Sequence, residues 1–379
     1  MKLPQVIQVG NRKIGPGQPI FLTAEIGISH SGSFENAKRM IIDAANAGCD
    51  GVDMFIGDSN GFYFAPFAPD KDTRKVWDEQ SFSMEQWREL MQLAAEHDII
   101  LYSTPLDLIS LEKAAELGVP MININSDDVT NLRLLEAAAK LGIPITMHDI
   151  GASLSEVETA VMTLVQNGAT ELILLHSTQE AGEEHVLYGA ANLRVMDTYR
   201  SAFGNLGVNV GCVEHTTSDF LIYAVAALEP VLISKHIQVA DSGNEHDPHI
   251  SVDSNAMGGM VKKVRYVEMA LGCGHNQKVT TMADNNTKAT IRNKVLVADR
   301  AIPVGKIIEE ADVAAKRPGR LGGLHPAQAR LLIGATATRD IAENTLLDLN
   351  MFTGFPEHEY RFPDTDAFIV DCTDNIQGA

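Results

Sequence analysis

Residues 131–177 read NLRLLEAAAK LGIPITMHDI GASLSEVETA VMTLVQNGAT ELILLHS, and two periodicities alternate along them. Apolar residues recur near i, i+3 and i+4 over Leu132–Leu141 and Leu154–Gln166, which predicts helices. The second helix opens at Ser153, with Glu156 placed to complete a capping box. Gly142 and Gly168 close the two helices. Between them, Pro144–Met147 and Glu171–His176 are short aliphatic runs too brief for helices, and they predict strands.

The same alternation extends in both directions. Further strands are predicted at Ile20–Glu25, Gly51–Ile56, Ile99–Ser103, Met121–Asn125, Val208–Cys212 and Val231–Lys235. Helices are predicted at Phe34–Ala47, Met84–Glu96, Leu108–Leu117, Leu193–Phe203 and Asp219–Ala227. Strand–helix units repeated over about 250 residues predict an α/β fold of the (β/α)₈ TIM-barrel type. A doubly wound open sheet competes, but no strand opens into a G-x-G-x-x-G turn. The domain reading is a barrel over 1–275, a polar linker over 276–292, a small β-rich lobe over 293–355 and a tail over 356–379. A lobe of that size is expected to pack on the barrel or on a second subunit.

The 379 residues are 45% hydrophobic and 21% charged, an ordinary globular balance. The formal charge of −20 disfavours nucleic acid and anionic membrane as partners. No apolar run reaches the roughly 18 residues of a membrane span, and the first residues lack a signal-peptide core, so a cytoplasmic protein is expected. Cys49, Cys212, Cys273 and Cys372 lie far apart, which predicts buried thiols rather than disulfides or a zinc site.

Active sites of such barrels lie at the C-terminal ends of the strands. Those ends carry Glu25, Asp53, Ser103, Asn123, Asn125, His148, His176, Glu214, His215, Lys235 and His236. His215 and His236 close neighbouring strands with Glu25 on the next, a set suited either to a divalent metal or to plain hydrogen bonding with carbonyls. The loop Gly243–His249 adds carboxylates and imidazoles on the same face.

These strand ends resemble the sialic acid synthase family over nearly the whole chain. Ala24-Glu25-Ile26-Gly27-Ile28-Ser29-His30 is similar to the family's A-E-I-G-x-N-H opening. Ser103-Thr104-Pro105-Leu106-Asp107 is similar to S-T-P-F-D, Leu174-Leu175-His176-Ser177-Thr178 to L-L-H-C-T, Glu214-His215-Thr216 to D-H-T, and Lys235-His236 to the K-H of E-K-H-F. Lys316-Arg317-Pro318-Gly319 and Gly334–Ile341 resemble the antifreeze-like (SAF) domain that follows the barrel. The resemblance implies metal-assisted condensation of phosphoenolpyruvate with an N-acylated aldose such as N-acetylmannosamine, giving a nonulosonic 2-keto-3-deoxy acid. It implies His215 and His236 as metal ligands, with Mn²⁺ foremost among Mg²⁺, Zn²⁺, Fe²⁺ and Co²⁺. Glu25, Asp247 and Asp128 are implied as catalytic groups, and Ser103, Asn123, Ser126, His148, Gln179 and Lys235 as substrate-binding groups. Arg317 would read the acyl group from a domain-swapped homodimer partner.

The chain also departs from the family pattern. Asp53 stands where the family has a lysine, Asn123-Ile124-Asn125 loses a second lysine, and His148-Asp149 and Val213 replace serine-bearing positions. At an effective dielectric near 20, each such charge close to a phosphate is worth on the order of 4 kcal/mol before screening. Lys71, Arg74, Lys75 or Lys235 are the candidates to compensate. Asp53, His148 and Asp149 alternatively join the metal or acid–base set of a lyase, aldolase or hydrolase that does not use phosphoenolpyruvate, and a non-catalytic paralogue is the third reading.

Overall fold

The computed structural model describes residues 2–62, 78–178, 188–216, 220–239, 248–272, 294–317 and 323–357. Gln179, Asp247, Lys71, Arg74, Lys75, Cys273, Cys372 and the predicted linker and most of the tail lie outside these residues. The chain divides into two compact units, Met1–Gly272 and Cys273–Ala379.

The first unit begins with a feature the sequence reading did not anticipate. Strands β1 (Ile7–Val9) and β2 (Arg12–Ile14) form an antiparallel hairpin. Eight parallel strands follow: β3 (Phe21–Gly27), β4 (Gly51–Ile56), β5 (Ile100–Pro105), β6 (Ile122–Ile124), β7 (Ile145–His148), β8 (Leu172–Ser177), β9 (Asn209–Glu214) and β10 (Leu232–His236). They close in the order β10-β3-β4-β5-β6-β7-β8-β9, the expected TIM barrel.

Among the described residues, the α-helices longer than four residues are α1 (Phe34–Ala47), α2 (Met84–Glu96), α3 (Leu108–Leu117), α4 (Leu132–Ala139), α5 (Leu154–Gln166), α6 (Val195–Phe203), α7 (Phe220–Ala226) and α8 (Ser254–Leu271). Their starts follow local sequence chemistry. Ser83 and Ser153 form the reciprocal capping boxes with Gln86 and Glu156, and Gly48 and Gly118 end α1 and α3 in the left-handed region. Cys49 and Cys212 are free and buried, as expected.

Because successive strand side chains point to opposite faces, the register divides every strand into a lumen set and an outer set. The outer set, including Ala24, Val52, Leu101, Ile122, Met147, Leu174 and Ile233, packs with the helices in one continuous apolar shell. On the lumen side, the pairing places Gly51, Met121, Ile173 and Leu232 in one layer and Thr23, Tyr102, Thr146 and Gly211 in the next. Above these lie Asp53, Asn123, Leu175 and Ser234, and then Glu25, Thr104, His148 and Val213. Each layer draws on alternate strands, the arrangement that fills such barrels. The lower lumen is apolar: Phe21, Ile100, Met121, Ile173 and Leu232 pack with Ile7, Val9 and Ile14 of the hairpin. Polarity therefore rises toward the C-terminal mouth.

The second unit holds two small antiparallel ribbons, β11 (Val295–Ala298) with β12 (Val313–Lys316), and β13 (Thr336–Ala337) with β14 (Phe352–Thr353). Its own core includes Leu296, Ile302, Ile308, Leu332, Ile341, Leu347 and Phe352. Asp312, fully buried, is paired with Lys306, and its carboxylate also accepts from the Glu309 backbone N–H. No helix among the described residues is long and apolar enough to cross a membrane.

The layering leaves no room for a side chain at Gly211. An added Cβ would lie 2.5 Å from the Leu175 side chain and 2.7 Å from the Leu232 carbonyl oxygen. Gly211→Ala is expected to lower stability by about 1–3 kcal/mol, read by urea denaturation.

Candidate active site

Three side chains converge at the mouth. Glu25 near the end of β3, His236 at the end of β10 and His215 just past β9 each bring a ligand atom within 4.8 Å of the others. Glu25 Oε1 lies 3.4 Å from His236 Nε2, and Glu25 Oε2 accepts a 3.0 Å hydrogen bond from Ser234 Oγ. The rings of His215 and His236 are 5.2 Å apart. His215 Nδ1 sits 2.9 Å from the Thr178 carbonyl oxygen, to which it must donate, so Nε2 keeps its lone pair. His236 Nδ1 is buried without a hydrogen-bond partner among the described residues.

Electrostatics keeps these groups in metal-binding form. Burial would raise the Glu25 carboxyl, but His236, His148, His215 and the Ser234 hydroxyl outweigh it and hold its pKa at about 2. Burial, reinforced by His236, lowers His215 to about 3, and burial also lowers His148. A charged carboxylate beside an uncharged His215 whose Nε2 keeps its lone pair fits a divalent ion.

Beside this set runs a chain of buried hydrogen bonds across four strands. Thr146 Oγ1 donates to Asn123 Oδ1 (2.7 Å), and Asn123 Nδ2 donates to Thr104 Oγ1 (2.9 Å) and Asp53 Oδ2 (3.3 Å). Thr104 Oγ1 donates to the same Asp53 oxygen at 2.8 Å. Burial pushes the Asp53 carboxyl well above its usual value, and the neighbouring charge of Glu25 pushes it the same way.

Glu25, Asp53, Asn123, His148, His215 and His236 thus belong to the mouth, as their positions in the sequence predicted. Other candidates do not. Ser103 faces outward in register with Met54 and Ile122, and its neighbour Thr104 occupies the lumen instead. Lys235, expected as a substrate-binding group and a compensating cation, pairs in register with Ala24 and Glu214 on the outer face, so its strand turns it away from the lumen. Its Nζ lies 2.8 Å from Glu214 Oε2 and donates to the carbonyl oxygens of Glu214, Thr216 and Ile250. The reason in both cases is the pleat: a one-residue offset turns a side chain to the opposite face.

Asp149, expected as an additional ligand, is held elsewhere. Its carboxylate accepts from Tyr199 Oη (2.6 Å) and the Ser177 backbone N–H (2.7 Å), and lies 3.1 Å from His176 Nδ1. Ser126 and Asp128 lie on a 3₁₀ turn after β6, where Asp128 Oδ1 accepts from Asn131 Nδ2 at 2.7 Å. Burial raises the Asp128 carboxyl. Arg317 is exposed at the end of β12 in the second unit. Thr104, Thr146 and Ser234 were missed: alternation groups Thr146 with His148 and Ser234 with His236 only once the facing of those strands is known, and strands buried on both faces do not show it. Tyr199, on α6, and the Thr178 carbonyl carried no sequence signal.

Two measurements probe this arrangement. Lys235→Met leaves Glu214 buried and uncompensated, and is expected to cost about 3–5 kcal/mol in urea denaturation, part of which Lys235→Met/Glu214→Met restores. His215 titrates at about 3 in the folded chain against an ordinary 6.5, so the unfolded chain takes up its proton first as pH falls. Metal-free protein should therefore lose stability from pH 6.5 downward. The Glu25 contribution stays complete above its ordinary 4.5, so between 6.5 and 4.5 His215→Asn should show a shallower loss than the parent.

Comparison with known proteins identifies the family. The model described as the NeuB family matches residues 40–276, and the SAF domain matches residues 293–353. N,N'-diacetyllegionaminic acid synthase of Campylobacter jejuni is 30% identical, covering 86% of this chain and 98% of its own. N-acetylneuraminate-9-phosphate synthase of Homo sapiens is 28% identical, covering 88% and 92%. The crystal structure of an N-acetylneuraminic acid synthetase from Leptospira borgpetersenii superposes with a TM-score of 0.66 at 27% identity, covering 75% of this chain and 95% of that one. The chain belongs to the NeuB family of sugar-acid synthases, with a TIM barrel followed by a SAF domain.

Proposed function

We propose that this protein is a metal-dependent synthase that joins a three-carbon enol donor to the aldehyde carbon of an N-acylated aldose. The observation that carries the reading is the convergence of Glu25, His215 and His236 at the barrel mouth. These residues would hold a divalent ion, Mn²⁺ foremost, which when bound supplies Lewis-acid polarisation of the sugar aldehyde. Thr178 supports this role by fixing the His215 tautomer, and Ser234 by orienting Glu25. His148 lies in the Glu25 layer, on the strand across the lumen, where a substrate oxygen between the two would find an uncharged imidazole.

With phosphoenolpyruvate as donor, its C3 bonds to the aldehyde carbon and the aldehyde oxygen takes a proton. Water adds at C2 and phosphate leaves. The product is a nonulosonic 2-keto-3-deoxy acid. A second copy offering its exposed Arg317 to the acyl group completes the proposal, since a guanidinium fork suits an amide carbonyl better than a lysine does.

A second reading keeps the metal and the sugar but uses a donor without phosphate, as an aldolase or lyase would. It is favoured by one observation: Asp53 faces the lumen, while Lys235 is turned away from it and paired with Glu214.

Phosphate release from phosphoenolpyruvate with a panel of N-acylhexosamines and Mn²⁺ tests the first reading. His215→Ala is expected to lower Mn²⁺ affinity by about tenfold or more and to abolish turnover. Mn²⁺ binding without phosphate release, but with pyruvate consumed or formed, would transfer the assignment to the second reading. No Mn²⁺ binding at all would remove both.

A further inference from the structure

We propose that Asp53, Thr104 and Asn123 form a subsite for an uncharged hydrogen-bonding end of the substrate, a hydroxyl or amide group, and that Asp53 excludes phosphate from it. This rests on the carbonyl-activating reading of the mouth given above.

The hydrogen-bond chain runs in one direction. The hydroxyl of Thr146 is directed at Asn123, the Asn123 amide at Thr104 and Asp53, and the hydroxyl of Thr104 at Asp53. Every side-chain donor in this lumen chain is therefore already engaged within it, and both Asn123 and Thr104 converge on Asp53 Oδ2. The other oxygen, Oδ1, is buried and has no hydrogen-bond partner among the described residues. An unmet polar atom in such a site costs on the order of 1–3 kcal/mol, so its retention points to a ligand group that meets it.

The chemistry of that ligand follows from what surrounds the atom. A phosphate needs several N–H donors or a cation. Here its oxygens would face Asp53 Oδ1 and Glu25, whose strand pairs with that of Asp53 in register. Ionised, Asp53 repels an anion; protonated, it offers a single uncharged hydrogen bond. A hydroxyl or amide N–H suits either state.

Across the lumen, on β8, Ser177 Oγ is likewise buried without a hydrogen-bond partner among the described residues. Strands β4 and β8 stand opposite each other in the closed ring. Two unmet atoms on opposite walls, one a carboxyl oxygen and one a hydroxyl, describe a ligand with hydrogen-bonding groups at both ends. The buried lysine of the barrel, Lys235, serves neither, since it lies on the outer face.

The test is calorimetric titration of phosphoenolpyruvate and of inorganic phosphate into the full chain, both metal-free and Mn²⁺-loaded. It compares the parent with Asp53→Lys and with Asp53→His at pH 6, a variant closer in volume, after thermal melts establish which variants fold. The parent is expected to bind both anions at millimolar strength or weaker, and a folded cationic variant to bind phosphoenolpyruvate about tenfold or more tightly. Micromolar binding of phosphoenolpyruvate by the parent, or a folded cationic variant that gains nothing, overturns the proposal. Failure to bind Mn²⁺ would instead undermine the carbonyl-activating reading, while the metal-free titrations still judge Asp53.

Discussion

The constraint on which the structure depends is closure of the parallel sheet. Once the eight strands close, each strand's register is fixed by two neighbours, and every side chain belongs irrevocably to the lumen or to the helix-covered face. Because the helices cover it, the outer set is apolar over most of its height, from Leu22 to Ile233. It turns polar only toward the strand ends, at Ser103, His176, Glu214 and Lys235. The lumen set is free to change character with height. Its lower layers are filled by Phe21, Ile100 and Leu232 and sealed by the N-terminal hairpin, so water is excluded below and polar chemistry is confined to the mouth.

That confinement explains the electrostatics. In a buried mouth, a charge is held only where a partner offsets desolvation. Glu25 has three imidazoles and a serine hydroxyl near it, and it stays ionised. Asp53 has the Thr104 hydroxyl, the Met54 backbone N–H and the Asn123 amide as donors, but burial, with Glu25 beside it, outweighs them and pushes its carboxyl upward. Two carboxyl groups on adjacent strands thus have different proton affinities, the condition under which one can serve as a ligand and the other as a neutral hydrogen-bonding group.

The outer face carries buried polar groups as well, with a different function. Lys235, Glu214 and the carbonyls they join tie the ends of β9 and β10 to the segment at Ile250. Asp149, His176 and Tyr199 do the same for β7, β8 and α6. Because these groups alternate in sequence with His215, His236 and His148, they brace from behind the same strands that present ligands in front.

The sequence by itself determined the barrel, the number and approximate place of its strands, and the arrival of Glu25, Asp53, Asn123, His148, His215 and His236 at one mouth. Alternating periods and glycine stops are local signals, and strand ends of a closed barrel must converge. What the tertiary structure alone decided was facing. Ser103 and Thr104, or Lys235 and His236, are adjacent letters, and short apolar strands buried on both faces leave no polar alternation to tell which of two neighbours turns inward. The hairpin plug, the Thr178 carbonyl behind His215 and the reach of Tyr199 to Asp149 depend on contacts between segments far apart in the chain. Such contacts exist only once the ring has closed, so no local pattern could have announced them.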